Sequence, residues 1–215
     1  MKTIEKPILF TGKMVKAILE NKKTVTRRLV DPQPPSFVDW LEYVDWIDDK
    51  HKEKSYFRGY MQPGEPTVHH TKAKYWPGLN LWVRESWGIT MFSNNSGYEI
   101  SVIYRADNAE KYYIDLDNEE LWNRIVKTEK WGNKINWRSS LFIPRAASRI
   151  LLKAVDVRIE RLHELDDAEA RLEGCTNREE YIKVWNDINA KNGYSWDKNP
   201  FVYRIDFERV IKGVS

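Results

Sequence analysis

Lys23, Thr24, Thr26, Arg27 and Arg28 place one ammonium, two hydroxyls and two guanidinium groups within six residues. Val25 and Leu29 alternate with them, so the period-2 geometry of a strand would set Thr24, Thr26 and Arg28 on one face. An apolar core has no use for such a face, whereas a polyanion, a nucleobase or a carbonyl oxygen does. An edge strand shielded by charge would read the same way. A second basic stretch carries Lys127, Lys130, Lys134, Arg138, Arg145 and Arg149, with Glu129 as its one acid and Trp131 and Trp137 among the cations. Cations interleaved with indoles suit nucleic acid, because phosphates meet the charges while unpaired bases stack on the rings. Trp82 with Arg84, and Trp137 with Arg138, set a ring and a guanidinium within two residues of each other.

These clusters stand out against a nearly balanced chain of 215 residues with 35 Lys and Arg, 32 Asp and Glu, and a formal net charge of +3. Residues 1–30 hold eight basic side chains and two acidic ones. Positive potential is therefore concentrated around the Lys-Thr-Arg segment, which suits an anionic partner. One cysteine, Cys175, excludes an internal disulfide framework and a cysteine-rich zinc site, and fits a reducing cytoplasm. His69-His70 lacks the accompanying acids or cysteines of a metal site, so neither metal nor cofactor is expected. No apolar run approaches the ~20 residues of a membrane span, and a soluble protein is expected.

The elements that would position these residues follow from periodicity. Ile8-Leu9-Phe10 reads as a strand, and Thr11 as the N-cap of a helix with Met14, Val15, Ile18 and Leu19 on its apolar face, closed by Asn21. Trp40, Tyr43, Val44 and Ile47 have helical spacing within a stretch, residues 31–76, that Pro and Gly otherwise interrupt. That stretch is expected to be an insertion with one helix, and residues 106–130 a smaller one. Leu79–Glu85, Glu99–Tyr104, Ile150–Ile159 and Phe201–Phe207 alternate as strands. Asp117 with Glu120, Asp166 with Glu169, and Thr176 with Glu179 resemble helix-starting pairs. Strands surround few helices without βαβ alternation, so one α+β domain is expected, a small curled sheet or barrel with helices at its ends.

In order along the chain come the helix ending at Asn21, Lys23-Thr24-Val25-Thr26-Arg27-Arg28, and Pro77-Gly78 before Leu81-Trp82-Val83-Arg84-Glu85. These resemble the ASCH family of the PUA-like superfamily. Pro144-Arg145-Ala146-Ala147-Ser148-Arg149 and Tyr194-Ser195-Trp196-Asp197-Lys198-Asn199-Pro200 resemble a phage and prophage branch of it. The likeness covers most of the chain outside residues 31–76 and 106–130. Two departures stand within it: Leu79-Asn80 replaces the usual Asp-Arg after the Pro-Gly turn, and Ala146 replaces a usual tryptophan, which removes a possible stacking ring.

The resemblance implies a β-barrel whose cleft receives RNA or a nucleobase. One relative, the bacterial N4-acetylcytidine amidohydrolase, uses a lysine, a threonine and a glutamate, and by motif position these match Lys23, Thr26 and Glu173. Thr26 would then attack or orient water, Lys23 would activate it if burial lowers its pKa, and Glu173 would serve acid–base work. Arg28 or Arg84 would hold a phosphate or the oxyanion. The leading expectation is binding of nucleic acid or a modified nucleobase, RNA ahead of DNA, by Thr24, Arg27, Arg28, Trp82, Arg84, Glu85, Trp137, Arg138, Arg145 and Arg149. The alternatives are a metal-independent amidohydrolase acting on an acylated cytidine, and a phage assembly or host-interaction role. Arg84-Glu85 also reads as a plain ion pair beside a strand.

Overall fold

A computed structural model describes residues 4–38, 40–47, 53–60, 69–94, 97–112 and 135–211. In chain order its main elements are β1 (Glu5–Leu9), α1 (Gly12–Leu19), β2 (Val25–Leu29), β3 (Trp40–Ile47), β4 (Glu53–Tyr60) and β5 (His69–Lys72). Then come β6 (Asn80–Arg84), β7 (Trp87–Asn94), β8 (Gly97–Tyr104), β9 (Glu110–Tyr112), β10 (Leu151–Arg161), α2 (Asp167–Leu172), α3 (Arg178–Asn189) and β11 (Phe201–Arg209). The architecture is mixed α+β, as the strand-rich pattern predicts. Its sheets are open, and none closes into a barrel among the described residues. No helix among them is long and apolar enough to cross a membrane.

Two compact units share the chain: residues 1–19, 81–152 and 210–215 form the first, and residues 20–80 and 153–209 the second. In the first unit β1 lies beside β6, and β7, β8 and β9 form an antiparallel sheet. Its core gathers Trp87, Ile89, Val102, Tyr104, Ile143 and Ala147, with Trp82 packed against them. Gly88 lies within this packing: a Cβ there would stand 2.6 Å from a methyl of Ile135.

In the second unit β10, β11 and β2 lie side by side, with Thr26 opposite Ile205, Arg27 opposite Arg204 and Arg28 opposite Tyr203. Leu162, Leu165, Ala170, Tyr181, Trp185, Trp196 and Val202 bury together beneath α2 and α3. Asp166 caps α2 by accepting from the Glu169 amide, as its sequence signature predicts. The cap of α3 lies one residue beyond the predicted pair: Asn177 accepts from the Glu180 amide, while Thr176 bonds the Glu180 carboxylate. The helix predicted from Asp117 lies outside the described residues.

The helix predicted across Trp40–Ile47 is instead β3, paired along its whole length with β4, which pairs in turn with β5. The segment Trp-Leu-Glu-Tyr-Val-Asp-Trp-Ile satisfies both periods, and its aromatic and β-branched side chains favour the pleated surface once a partner strand is present. The sheet is tied into its unit by Phe57, fully buried, whose ring meets Tyr43 at 5.3 Å and Tyr203 at 5.7 Å. Tyr203 in turn donates to the Lys72 carbonyl and meets the Tyr75 ring at 5.3 Å. Through Tyr43 and Phe57, β3 and β4 thus share a core with β11. Phe57→Ala should destabilise the second unit by about 3–5 kcal/mol, measured by urea unfolding. A loss below about 1 kcal/mol would mean that this sheet is peripheral.

Candidate functional site

Lys23 occupies the bend before β2, and backbone bonds fix what it faces. The Thr24 amide donates to the Leu172 carbonyl at 3.0 Å, and the Phe207 amide donates to the Thr24 carbonyl at 2.9 Å. This holds the bend against the C-terminal end of α2, where Glu173 is the cap and Gly174, at φ +83°, turns the chain away. Lys23 Nζ donates to the Glu173 carbonyl at 2.8 Å, to Glu173 Oε2 at 2.5 Å and to the Val25 carbonyl at 2.8 Å. The two side chains are 0% and 3% exposed. The cation thus covers the helix-end carbonyl of Glu173 and neutralises its buried carboxylate together.

The network continues inward from Glu173. Arg27 Nη1 lies 3.4 Å from Glu173 Oε1, its Nε donates to Glu160 at 2.7 Å, and its Nη2 donates to Glu169 at 2.6 Å. Arg204 adds a bidentate grip on Glu169 at 2.9 and 3.0 Å. Burial lowers the Lys23 pKa despite the attraction of Glu173, and Arg28 lowers it further. Burial also works against the Arg27 cation, but Glu173 and Glu160 more than offset it, so its pKa is raised. Arg28 is lowered by burial. Thr26 is buried and forms no hydrogen bond to Lys23 or Glu173, and Thr24 is exposed.

This geometry has a chemical consequence. An ammonium donating to three acceptors has no lone pair to offer, so Lys23 can take a proton from Thr26 or water only after giving one up, and Glu173 Oε2 at 2.5 Å is placed to receive it. The structure therefore unites Lys23 with Glu173, 150 residues apart, and adds Arg27 to them, but leaves Thr26 outside the contact.

The first unit carries the remaining predicted residues. Arg149 forms paired bonds to Glu85, both 2.9 Å, and to Asp107, both 2.9 Å, with its guanidinium 4.1 Å from the Tyr104 ring centroid. Glu85 therefore pairs with Arg149, not with its neighbour Arg84. Burial raises the Glu85 pKa against the opposing pull of Arg149. Trp137 is half-buried, with the Arg105 guanidinium 5.8 Å from its ring centroid.

A cavity of about 600 Å³ opens in this unit, and Trp82, Arg84, Trp87, Arg138, Phe142 and Arg145 line it with Leu141, Ile143 and Pro144. No carboxylate is among the described lining residues. The Trp87 and Arg138 backbones exchange two hydrogen bonds, 3.3 and 2.7 Å, which set the Arg138 guanidinium 5.2 Å from the Trp87 ring centroid. Arg84 donates through Nε to the Ser140 carbonyl at 3.1 Å and lies 5.7 Å from the Trp82 ring centroid. Arg145 is held by Glu5 through two bonds of 2.6 and 3.1 Å. Ser139 caps the turn Ser140–Phe142 by accepting from the Leu141 amide, and the turn presents Leu141 and Phe142 at 54% and 73% exposure. Trp87 is 1% exposed, and its indole N–H has no hydrogen-bond partner among the described residues.

Sequence reasoning selected Trp82, Arg84, Arg138 and Arg145 but passed over Phe142. Its signal was present: a Ser-Ser cap directly followed by Leu141, Phe142 and Ile143 before Pro144 marks a tight turn that cannot bury all three. Lys127, Lys130, Trp131 and Lys134 lie outside the described residues. Comparison of the chain with family profiles, with curated proteins and with solved structures finds no match.

Two measurements test the buried network. Lys23→Met leaves Glu173 without its nearest cation and should cost about 3 kcal/mol in urea unfolding, while Lys23→Met with Glu173→Gln should recover at least half. No loss in the single variant would remove the pair as an anchor. The second concerns alkaline pH. Burial raises the Tyr181 pKa well above its ordinary 10.0, so the folded hydroxyl keeps a proton that the unfolded chain releases. The unfolded state then binds fewer protons, and stability falls as pH rises through that value. Lys23, lowered below 10.5, acts in the opposite direction because the unfolded chain holds the extra proton. Tyr181→Phe removes only the first effect, so between about pH 9.5 and 11 it should lose less stability than the parent protein. An unchanged slope would contradict the buried-tyrosine assignment.

Proposed function

We propose that the protein binds nucleic acid or a modified nucleobase, RNA ahead of DNA, through the basic aromatic cavity of its first unit, and that it is a PUA-like protein of the ASCH type. The observation that carries the binding reading is that cavity: three arginines and two tryptophans around about 600 Å³, with no carboxylate among the described lining residues. Its volume falls within the ~300–1,000 Å³ of small-ligand sites. Its chemistry offers flat π surfaces for bases and guanidinium groups for phosphate. RNA is placed ahead of DNA by the family resemblance, and single strands by the need for splayed bases to reach such rings. Phosphate contacts release counterions, so affinity for a short single-stranded RNA should fall steeply between low and moderate salt. Arg84→Ala with Arg138→Ala should weaken binding at least tenfold and flatten that salt slope, measured by fluorescence anisotropy. Salt-independent binding, or none to any RNA or DNA, would end this reading.

A second reading, hydrolysis of an acylated cytidine, is favoured by one observation: the lysine and glutamate that the resemblance pairs do meet, at 2.5 Å. Mass spectrometry of N4-acetylcytidine incubated with the protein tests it. Turnover should survive a chelator and vanish in Lys23→Ala, Thr26→Ala and Glu173→Ala. Unchanged turnover in Lys23→Ala would reject the assignment.

A further inference from the structure

We infer that this cavity takes a single unstacked nucleotide, its base laid against Trp82 and Phe142 and its phosphate held by Arg84, so that the protein selects single strands over duplexes. The inference rests on the nucleic-acid reading above and narrows it to one ligand form. Three features carry it. The site is a concavity, whereas a duplex presents a convex, doubly phosphorylated backbone whose bases are stacked out of reach. Phe142 stands at the cavity wall at 73% exposure beside Leu141 at 54%, an apolar pair that a base face would cover. Arg84 is bonded to the protein through Nε alone among the described residues, which leaves its planar Nη edge as the donor for an incoming phosphate.

The remaining cations support the site differently. Arg145 is paired with Glu5, which offsets its charge, and Arg138 lies against the face of Trp87, so Arg138 adds positive potential to the cavity and Arg84 supplies the direct grip. Trp87 lines the cavity too, and its buried indole N–H has no acceptor among the described residues.

The test compares a labelled single-stranded RNA of about ten nucleotides with the same sequence annealed to its complement, by anisotropy at fixed salt. The single strand should bind at least tenfold tighter. Uridine and adenosine monophosphate should compete where inorganic phosphate at the same concentration does not. Phe142→Ala should weaken single-strand binding about tenfold, Phe142→Trp should restore it, and neither should shift the unfolding midpoint, because the ring is solvent-exposed. Equal affinity for duplex and single strand would overturn the inference while leaving the nucleic-acid reading standing. So would unchanged binding in Phe142→Ala. Absence of binding to either form would overturn the reading itself. Displacement of bound RNA by inorganic phosphate alone would show a simple anion site and reject the nucleotide assignment.

Discussion

A carboxylate removed from water must meet a cation in good geometry, and the contact between Lys23 and Glu173 answers that demand for the second unit. Removing either charge from solvent costs several kcal/mol. The pair is sustained because Nζ also satisfies the Glu173 and Val25 carbonyls, leaving none of its donors idle. The contact fixes the bend before β2 onto the end of α2. Arg27 extends it to Glu160 on β10 and to Glu169, which Arg204 of β11 grips from the other side. Four elements are thereby registered against one another by charge, where apolar contacts alone would tolerate sliding.

The first unit meets the same demand with different chemistry. Glu85, as deeply buried as Glu173, is satisfied by the planar fork of Arg149, which also reaches Asp107 and covers the Tyr104 ring. A guanidinium can give paired bonds to two carboxylates while its flat face covers a ring, whereas an ammonium has too few donors and no plane. The arginines of this unit consequently divide by partner. Arg149 and Arg145 are held by acids, and Arg84 and Arg138 lie against indoles at a cavity. Residues that look equivalent as basic side chains thus have different roles, set by what lies opposite them.

How far the site was legible depends on the range of the interaction involved. The caps at Thr11 and Asp166, the strands through Leu81, Tyr104, Leu152 and Ile205, and the left-handed turn at Asn21 rest on contacts within a few residues, and local pattern identified them. Trp40–Ile47 could not be read in this way, because its spacing satisfies both a helix and a strand, and only pairing with β4 selects between them. Glu173 was joined to Lys23 by a family resemblance; nothing in their spacing connects them. Phe142 was passed over because a capped turn rich in apolar residues does not by itself say which of them faces solvent.

From the sequence alone came the types of the locally patterned elements, Trp40–Ile47 excepted, the concentration of cations near residue 23 and around residue 138, and the α+β class, since each follows from periodicity, capping and composition. Tertiary structure decided which cations are structural and which line a cavity. It turned Arg27 into a buried hub, moved Glu85 to Arg149, and assembled Trp82, Arg84, Arg138 and Phe142 around one concavity. The physical reason is that a charge or an aromatic ring takes its role from the groups that desolvate and oppose it, and those groups lie as many as 150 residues away in the chain.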